Sequence, residues 1–387
     1  MPSVLLLRPG LPANQRVMPR PPELSRRRLT TALAGLALPP AAARPDPGLG
    51  PLAAAHGCRY GAAIRGQLFA ADPRIARIAA DECGMLMTDY EVKWGTVQPN
   101  QGYFNFAPVD TLAAWAQAHG KTLRGHGLVW YQDMPFWTIA ALLASPKQAY
   151  NLLDAHIAEV LKHTRTAIRE WDVVNEMVAD PPGSDVPQAS GEIRNDIWLK
   201  ALGPSYIAHA LRLVHAHDPG LRIAINDYGT EENAPHHIEK RRRLLSLVRG
   251  LRRENVSLDT VGLQGHLQLV QPFSGPPFTQ FCRDLRAEGV ELVVTEMDVR
   301  ENWWVPQGIP ARDKLVAERV KAFMDAALEG GIKTFITWGL CDKYSWLASN
   351  PDVRRTDGLV HRGLPFSDDY ARKPYWGAMA DAFRQVR

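Results

Sequence analysis

Short apolar runs alternate with longer amphipathic stretches along most of this chain. The runs are rich in β-branched and other apolar residues, which is typical of strands. The stretches between them repeat apolar positions at helical spacing, and several are followed by Gly or Pro, which end helices. The predicted helices include residues 109–119, 149–166, 206–217, 237–254 and 311–329. The predicted strands are residues 60–66, 85–90, 122–130, 171–176, 222–228, 260–266, 291–299 and 334–340.

The order of these elements indicates an α/β fold. The strand candidates are continuously apolar, as expected for parallel strands that helices cover on both faces. Eight strand–helix units in about 330 residues fit a (β/α)8 TIM barrel that forms one catalytic domain over residues 57–387. A doubly wound open sheet is the alternative, but Gly61 and Gly66 do not make the glycine-rich turn expected after its first strand.

The excess of positive over negative charge comes from the first residues of the chain. The formal net charge is +4, from 45 basic and 41 acidic side chains. Residues 1–43 contain six arginines and one glutamate, so the remainder has 39 basic and 40 acidic side chains. A nearly neutral body gives no support for binding nucleic acid, and we expect no such partner.

The N-terminal segment has the order of an export signal. Arginines 26–28 precede a short apolar run at 29–38 and three alanines at 41–43. The run is too short to span a bilayer, and the adjacent arginines resemble a twin-arginine signal. We predict an export signal at 1–43, a Pro-, Gly- and Ala-rich linker at 44–56, and a periplasmic or secreted protein without stable membrane association. A plain Sec signal, or a start at Met18, is the alternative.

The cysteines and histidines do not have the spacing of a metal or redox site. Cys58, Cys83, Cys282 and Cys341 are widely separated in the chain. We therefore expect buried thiols rather than metal ligands, and neither a metal ion nor a cofactor. A disulfide among them is the alternative for an exported protein.

Polar and aromatic side chains gather where the predicted strands end, which is where barrels of this kind place their active sites. Glu176 and Glu296 each end an apolar run, so burial there would shift their pKa values. Glycoside hydrolysis needs two such carboxyl groups, although two buried structural acids would give the same pattern. The residues at these strand ends are His126, Trp130, Asn175, Glu176, Asn226, Asp227, Gln264, His266, Glu296, Asp298 and Trp338.

Several segments together resemble glycoside hydrolase family 10, the endo-β-1,4-xylanases. The resemblance covers roughly residues 59–385, and its specificity lies in the order and spacing of the segments. They are Lys93-Trp94, Gln101-Gly102-Tyr103-Phe104-Asn105-Phe106, Arg124-Gly125-His126-Gly127-Leu128-Val129-Trp130, Trp171-Asp172-Val173-Val174-Asn175-Glu176, Ile225-Asn226-Asp227-Tyr228, Val261-Gly262-Leu263-Gln264-Gly265-His266, Thr295-Glu296-Met297-Asp298 and Thr337-Trp338-Gly339.

The resemblance implies a role for each matching residue. It makes Glu176 the acid/base and Glu296 the nucleophile of a retaining enzyme, whose carboxyls are about 5–5.5 Å apart. It also implies that Asn175 binds a sugar 2-hydroxyl, and that His266 holds the nucleophile with Asp298 behind it. The sugar-binding positions that it implies are Lys93, His126, Trp130, Gln264 and Trp338. Trp338 and Trp346 offer flat apolar faces for a pyranose ring.

The chain departs from the family pattern at three positions. Asp89 and Tyr90 stand where the family usually has Glu and Asn, and Tyr131 stands where a His commonly follows the Trp. Asp89 and Tyr90 fall where the resemblance places the sugar on the non-reducing side of the cleavage point. We therefore expect this subsite to be narrower and more apolar than the family pattern.

The expected activity is that of a monomeric, retaining endo-β-1,4-glycanase acting on the xylan backbone. A second hypothesis keeps the mechanism but changes the substrate to another β-linked polysaccharide, such as a bacterial exopolysaccharide. A third is a sugar-binding protein without catalysis, which would not need two carboxyls in opposite protonation states. The basic run at 240–243 is expected to be a solvated helix face.

Overall fold

The computed structural model describes residues 46–188, 191–302, 304–306 and 308–386. The predicted export signal at 1–43 lies outside these residues. Within them, no helix has both the length and the apolar character needed to cross a membrane.

Parallel strands form a closed barrel. β1 pairs with β2 on one side and with β9 on the other, and β6 pairs with β8, so eight strand positions close the ring. β7 continues the β6 position and pairs with the outer part of β8. The strands of the described chain are β1 Arg59–Ala63, β2 Met85–Met87, β3 Thr122–Val129, β4 Ile168–Asn175, β5 Arg222–Asp227, β6 Thr260–Leu263, β7 His266–Gln268, β8 Glu291–Arg300 and β9 Thr334–Thr337.

Helices connect the strands, and the predicted (β/α)8 barrel is confirmed. The helices are α1 Leu49–Ala55, α2 Gln67–Ala71, α3 Pro73–Glu82, α4 Trp94–Val97, α5 Ala107–Ala118, α6 Phe136–Ala144, α7 Pro146–Thr164, α8 Ile197–Leu202, α9 Tyr206–His217, α10 Pro235–Arg253, α11 Gly275–Ala287, α12 Ile309–Glu329, α13 Trp346–Ser349 and α14 Pro374–Arg384, with a 3-10 turn at Asp342–Tyr344.

Local sequence explains where several helices begin. The side chain of Asp72 accepts a hydrogen bond from the amide of Arg74, and Pro73 follows as the first residue of α3. Ser145 precedes Pro146 in the same way at α7. A polar cap followed by proline satisfies a free backbone amide and fixes the first helical dihedral, so both helices start at defined residues.

Three predicted strands, 60–66, 85–90 and 334–340, end three residues earlier in the structure, and two further segments differ in kind. The predicted linker at 44–56 contains helix α1, which packs against β1 and α14 and buries Leu49 and Ala53. Its small residues allow close packing on the barrel, although their composition is also typical of a linker. The predicted strand at 260–266 is interrupted after Leu263, because Gly265 adopts a left-handed conformation with φ of 81°.

The cysteines are buried thiols, as the sequence predicted. Cys58, Cys83, Cys282 and Cys341 are all free and shielded from solvent. Burial raises the pKa of each of the four thiols, so they stay protonated and unreactive at neutral pH.

Glu82 ties the first described helix to the last one. Its Oε2 accepts hydrogen bonds from the amide of Leu49 at 2.8 Å and from Nε1 of Trp376 at 2.9 Å. Its Oε1 accepts one from Nη2 of Arg372 at 2.7 Å, and the Glu82 side chain is only 4% exposed. One carboxylate therefore satisfies donors from both ends of the described chain.

Replacing Glu82 by Ala should lower the free energy of unfolding by about 2–4 kcal/mol, because two buried donors would lose their acceptor. The change is measured as a lower urea midpoint with an unchanged slope. Glu329→Ala is the matched control, because Glu329 makes an exposed ion pair with Arg283 and should contribute less than about 1 kcal/mol. Equal urea midpoints for the two variants would show that the contacts of Glu82 with both ends of the described chain do not stabilise the fold.

Candidate active site

Glu176 and Glu296 lie at the same end of the barrel, where β4 and β8 reach its carboxyl face. Glu296 lies within β8 and is 4% exposed, whereas Glu176 follows the last residue of β4 and is 9% exposed. Glu176 has φ of 58°, in the left-handed region that residues with a side chain rarely adopt. The predicted pair is thus placed together, one on a strand and one on a strained turn.

Asn226 and His266 contact the carboxylate of Glu296, and His126 lies nearby. Nδ2 of Asn226 donates to Oε1 at 2.7 Å, and Nε2 of His266 lies 3.3 Å from Oε2. Nε2 of His126 lies 3.8 Å from Oε1. Burial raises the pKa of Glu296, but the charges and hydrogen bonds of these neighbours outweigh it and hold the pKa below its usual range. Glu296 is therefore ionised at neutral pH.

His266 is a cation between two carboxylates. Its Nδ1 donates to Oδ1 of Asp298 at 2.8 Å while its Nε2 faces Glu296. Burial lowers the pKa of His266, but Asp298 and Glu296 together raise it well above its ordinary value. The other oxygen of Asp298 accepts from Nε1 of Trp346 at 2.6 Å. Asp298 therefore fixes both the imidazolium and an aromatic ring.

A buried carboxylate, that of Asp172, orients the ring of His126. Its Nδ1 lies 3.0 Å from Oδ2 of Asp172, and Nη2 of Arg124 donates to the other oxygen of Asp172. Burial raises the pKa of Asp172, but Arg124 and His126 more than offset this effect. The Arg124–Asp172 ion pair therefore orients the ring of His126.

Neutral amides surround the carboxyl of Glu176. Nδ2 of Asn175 and Nε2 of Gln264 each lie 3.3 Å from its Oε1. Nε2 of Gln264 also donates to Oδ1 of Asn175, which accepts from Nδ2 of Asn226, the donor to Glu296. Among the described residues, no cation binds the Glu176 carboxyl. The two glutamates are therefore linked by amides but differ in electrostatics.

Arg194 holds the backbone turn of Glu176. Its Nε donates to the carbonyl oxygen of Glu176 at 2.6 Å, and its Nη2 lies 3.1 Å from Oδ2 of Asp180. The Arg194 side chain is 4% exposed. A charged hydrogen bond at this carbonyl stabilises the left-handed conformation that directs the Glu176 side chain into the site.

The basic run of α10 supplies part of this support, so the prediction of a solvated face was wrong for Lys240 and Arg241. Lys240 is 2% exposed, and its Nζ lies 2.6 Å from Oδ1 of Asp180 and 3.1 Å from Oδ1 of Asp227. Arg241 is 5% exposed and donates to backbone carbonyl oxygens. Arg242 is exposed, as predicted. The acids that pair with Lys240 come from other elements, since Asp180 lies in the segment after β4 and Asp227 ends β5.

Aromatic rings and one lysine line the cleft beside the glutamates. Nζ of Lys93 lies 4.6 Å from the ring of Trp130 and 5.5 Å from that of Trp338. The Trp338 ring meets His126 edge-on at 5.4 Å, and Trp346 lies 5.2 Å from His266. The structure thus brings these predicted sugar-binding residues to one side of the paired carboxyls.

Asp89 and Tyr90 lie beside Lys93, with Arg65 as an additional neighbour. Oδ2 of Asp89 accepts from Nε of Arg65 at 2.8 Å, and its Oδ1 lies 3.9 Å from Nζ of Lys93. Tyr90 is 42% exposed, and the Arg65 and Lys93 cations lie 4.3 and 4.4 Å from its ring centroid. Cations therefore organise both Asp89 and Tyr90, two of the three departures from the family pattern.

One other buried group within the described residues combines metal-ligating side chains, namely Glu231, Glu232 and His237. Burial and the charge of Glu231 raise the pKa of Glu232 to about 8, so this acid is protonated at neutral pH. Its Oε2 faces Nε2 of His237 at 3.5 Å, and Nη1 of Arg319 lies 3.4 Å from Oε1. An uncharged acid–imidazole pair beside an arginine attracts a cation weakly.

The sequence did not single out several supports of the site. The candidate site residues were the glutamates, amides, histidines and aromatics at the strand ends. They did not include Arg65, Asp172, Asp180 or Arg194. Asp172 is a charged residue in the buried part of β4, and that exception in an apolar run was a usable signal for an acid with a partner. Arg194 lies in the long segment between β4 and α8, where no periodicity indicates its contact.

The chain is similar to proteins of one family along most of its length. The sequence model of glycosyl hydrolase family 10 matches residues 48–382. Endo-1,4-beta-xylanase 1 of Humicola insolens is 30% identical over 357 residues, which is 91% of this chain and 76% of that protein. Endo-1,4-beta-xylanase C of Phanerodontia chrysosporium is 30% identical over 307 residues, which is 78% of this chain and 69% of that protein.

Solved structures show the same similarity. Xylanase 10B of Thermotoga petrophila, crystallised with xylobiose, has a TM-score of 0.79 at 26% identity. The match covers 89% of this chain and 99% of that chain. The endo-beta-1,4-xylanase of Gloeophyllum trabeum has a TM-score of 0.74 at 30% identity over 88% of this chain and 99% of that chain.

Replacing His266 by Gln should raise the pKa of Glu296, because the cationic donor that holds this pKa down is lost. The pKa is measured by NMR titration of the glutamate side-chain carboxyl carbon. His215→Gln, which changes an exposed histidine on α9, is the matched control and should leave the Glu296 pKa unchanged. An unchanged Glu296 pKa in the folded His266 variant would rule out His266 as the stabilising cation.

Proposed function

Because this chain belongs to glycosyl hydrolase family 10, we propose that it is a retaining endo-1,4-β-xylanase. The mechanism is supported by the different electrostatic surroundings of Glu176 and Glu296. Glu296 is held ionised by neighbouring donors, whereas the Glu176 carboxyl contacts neutral amides. A retaining glycosidase needs one ionised nucleophile and one acid that delivers a proton.

In the first step, the Glu296 carboxylate attacks the anomeric carbon of a xylose residue. Glu176 gives its proton to the glycosidic oxygen, the bond to the leaving chain breaks, and a covalent glycosyl-enzyme forms at Glu296. Asn175, fixed by Gln264 and Asn226, offers its amide to the 2-hydroxyl of that sugar. Hydrogen bonds at this hydroxyl strengthen as the transition state develops.

In the second step, Glu176 acts as a base. Its carboxylate takes a proton from water, the oxygen of that water attacks the anomeric carbon, and Glu296 leaves as a carboxylate. The imidazolium of His266 stabilises the departing negative charge, because its proton is fixed toward Glu296 by Asp298. Two inversions at the same carbon give retention of configuration.

The aromatic cleft supports a polysaccharide substrate. Trp338, Trp346 and Trp130 provide faces on which pyranose rings stack, and Lys93 and Gln264 provide polar contacts to their hydroxyls. Relatives named endo-1,4-β-xylanases favour xylan over another β-linked polysaccharide. The unequal acids count against a sugar-binding protein without turnover, since binding alone does not require them.

We also propose that the protein is exported and acts as a monomer. The order of charged, apolar and small residues at 1–43 supports export, and the adjacent arginines favour the twin-arginine route. The balanced charge of the remaining chain gives no support for nucleic acid as a partner.

The two glutamates should fail in different ways when replaced. Glu296→Ala should abolish turnover of xylan and of aryl xylosides alike, because no covalent intermediate can form. Glu176→Gln should lower kcat/KM on xylan by about 10²–10⁴, and far less on aryl glycosides whose leaving groups need no proton. Both values come from steady-state kinetics on the two substrate classes.

Azide provides the control for these assignments. It should not restore the retained product in Glu296→Ala, and a glycosyl azide formed there should have the inverted configuration. Near wild-type turnover by Glu296→Ala would remove Glu296 from the nucleophile role. Equal loss on both substrate classes in Glu176→Gln would remove Glu176 from the acid role.

The subsite formed by Asp89 and Tyr90 should be weak for plain xylan. A phenol offers one hydroxyl where an amide offers a donor and an acceptor, and a sugar hydroxyl without its partner costs about 1–3 kcal/mol. The double replacement Asp89→Glu with Tyr90→Asn should therefore raise kcat/KM on linear xylo-oligosaccharides about tenfold to a hundredfold. An unchanged kcat/KM would show that the two residues have no bearing on specificity.

A further inference from the structure

Arg65 lies at the mouth of the cleft, two residues beyond the end of β1, and its guanidinium is only partly used. Its Nε donates to Asp89 at 2.8 Å, while its two Nη atoms have no hydrogen bond within the part of the chain that the structure describes. The side chain is 40% exposed. Four N–H groups of a fixed cation therefore face the cleft and the solvent beside it.

Positive charge exceeds the negative charge available at this point. Arg65 and Lys93 share one carboxylate, that of Asp89. Glu91 is nearby but buried, and its two oxygens accept three backbone amides, including that of Gly66. Burial also raises the pKa of Glu91. The exposed cation is left without a full counter-charge.

Arg65 lines two hollows, and Tyr90 lines the outer one. An inner one of about 80 Å³ opens between Arg65, Trp338 and Trp346, and so belongs to the catalytic cleft. An outer one of about 540 Å³ lies on the other side and is lined by Arg65, Gln67, Tyr90, Glu91, Thr96, Asn105, Ala107, Pro108 and Thr111. The outer volume is within the range of sites that hold small ligands.

A linear xylan backbone carries no charge, so its hydroxyl groups offer this arginine hydrogen bonds but no counter-charge. A branch that leaves the backbone beside Tyr90 would enter the outer hollow and pass the free Nη atoms. A guanidinium with two free Nη groups matches a carboxylate, which it binds through two parallel hydrogen bonds. Gln67, Thr96 and Asn105 line the same hollow and offer polar groups to a sugar.

We propose that the outer hollow, which Arg65 and Tyr90 line, is a subsite for a uronic acid branch on the glycone side of the xylan chain. The proposal rests on the proposed xylanase function and specifies the decoration that the site prefers. The Arg65 guanidinium binds the branch carboxylate, and the Tyr90 ring, where a small amide is usual, holds that guanidinium in place through a contact at 4.3 Å.

The test compares three xylo-oligosaccharides of equal length: one linear, one with a uronic acid branch, and one whose branch carboxyl has been reduced to an alcohol. The wild-type full chain should show kcat/KM about 10–100-fold higher for the acidic branch than for the reduced branch. Arg65→Gln should reduce this ratio to below about threefold, and Arg65→Lys should restore part of it. Raising salt from about 0.05 to 0.5 M should lower the wild-type ratio.

Arg59→Gln is the matched control. Arg59 is the first residue of β1, at the opposite end of the barrel, and its side chain is 42% exposed and paired with Glu170. This variant should keep the wild-type ratio. In products from branched xylan, the uronic acid should remain on the fragment that carries the new reducing end, because the branch binds on the glycone side.

The outcomes separate this subsite from the catalytic function. Cleavage of linear xylan without a preference for the acidic branch, or a preference that survives in Arg65→Gln, overturns the subsite and leaves the function standing. If the wild type cleaves none of the three, the xylanase function fails. Calorimetric binding of the same three oligosaccharides then decides the subsite, because an equal affinity for the acidic and reduced branches overturns it.

Discussion

A carboxylate that stays ionised away from water is the constraint on which this site depends. Glu296 lies on a buried strand, and an isolated charge there would be too costly to maintain. His266 and Asn226 contact it directly, and His126 lies 3.8 Å away. Each donor is itself fixed, for example His266 by Asp298. The closed barrel makes this possible, because only converging strand ends bring so many donors to one side chain.

Much of the fold and the pair of acids could be predicted, because their signals are local. A buried parallel strand is apolar along its length, and a glutamate at the end of such a run stands out without any knowledge of its partners. For this reason the eight strand positions were predicted, and Glu176 and Glu296 could be singled out. The break between β6 and β7 was missed because one glycine conformation decides it.

The residues that support the site could not be predicted in the same way, because their partners are distant in the chain. Lys240 lies in a basic run that is usual on a solvated helix, yet it is buried against Asp180 and Asp227. Arg194 reaches the carbonyl of Glu176 from a segment without periodicity. A charged side chain is buried when a partner of opposite charge lies next to it in the folded protein. The sequence alone does not show which distant residues the fold brings together.

Asp298 joins two functions through its two oxygens, since one accepts from His266 and the other from Trp346. A sugar that draws the indole away from Asp298 leaves that oxygen free and strengthens the attraction between the carboxylate and the imidazolium. Substrate occupancy and proton affinity are then thermodynamically linked, and the linkage is reciprocal. The factor by which a bound sugar changes the proton affinity of His266 equals the factor by which protonation changes the affinity for that sugar.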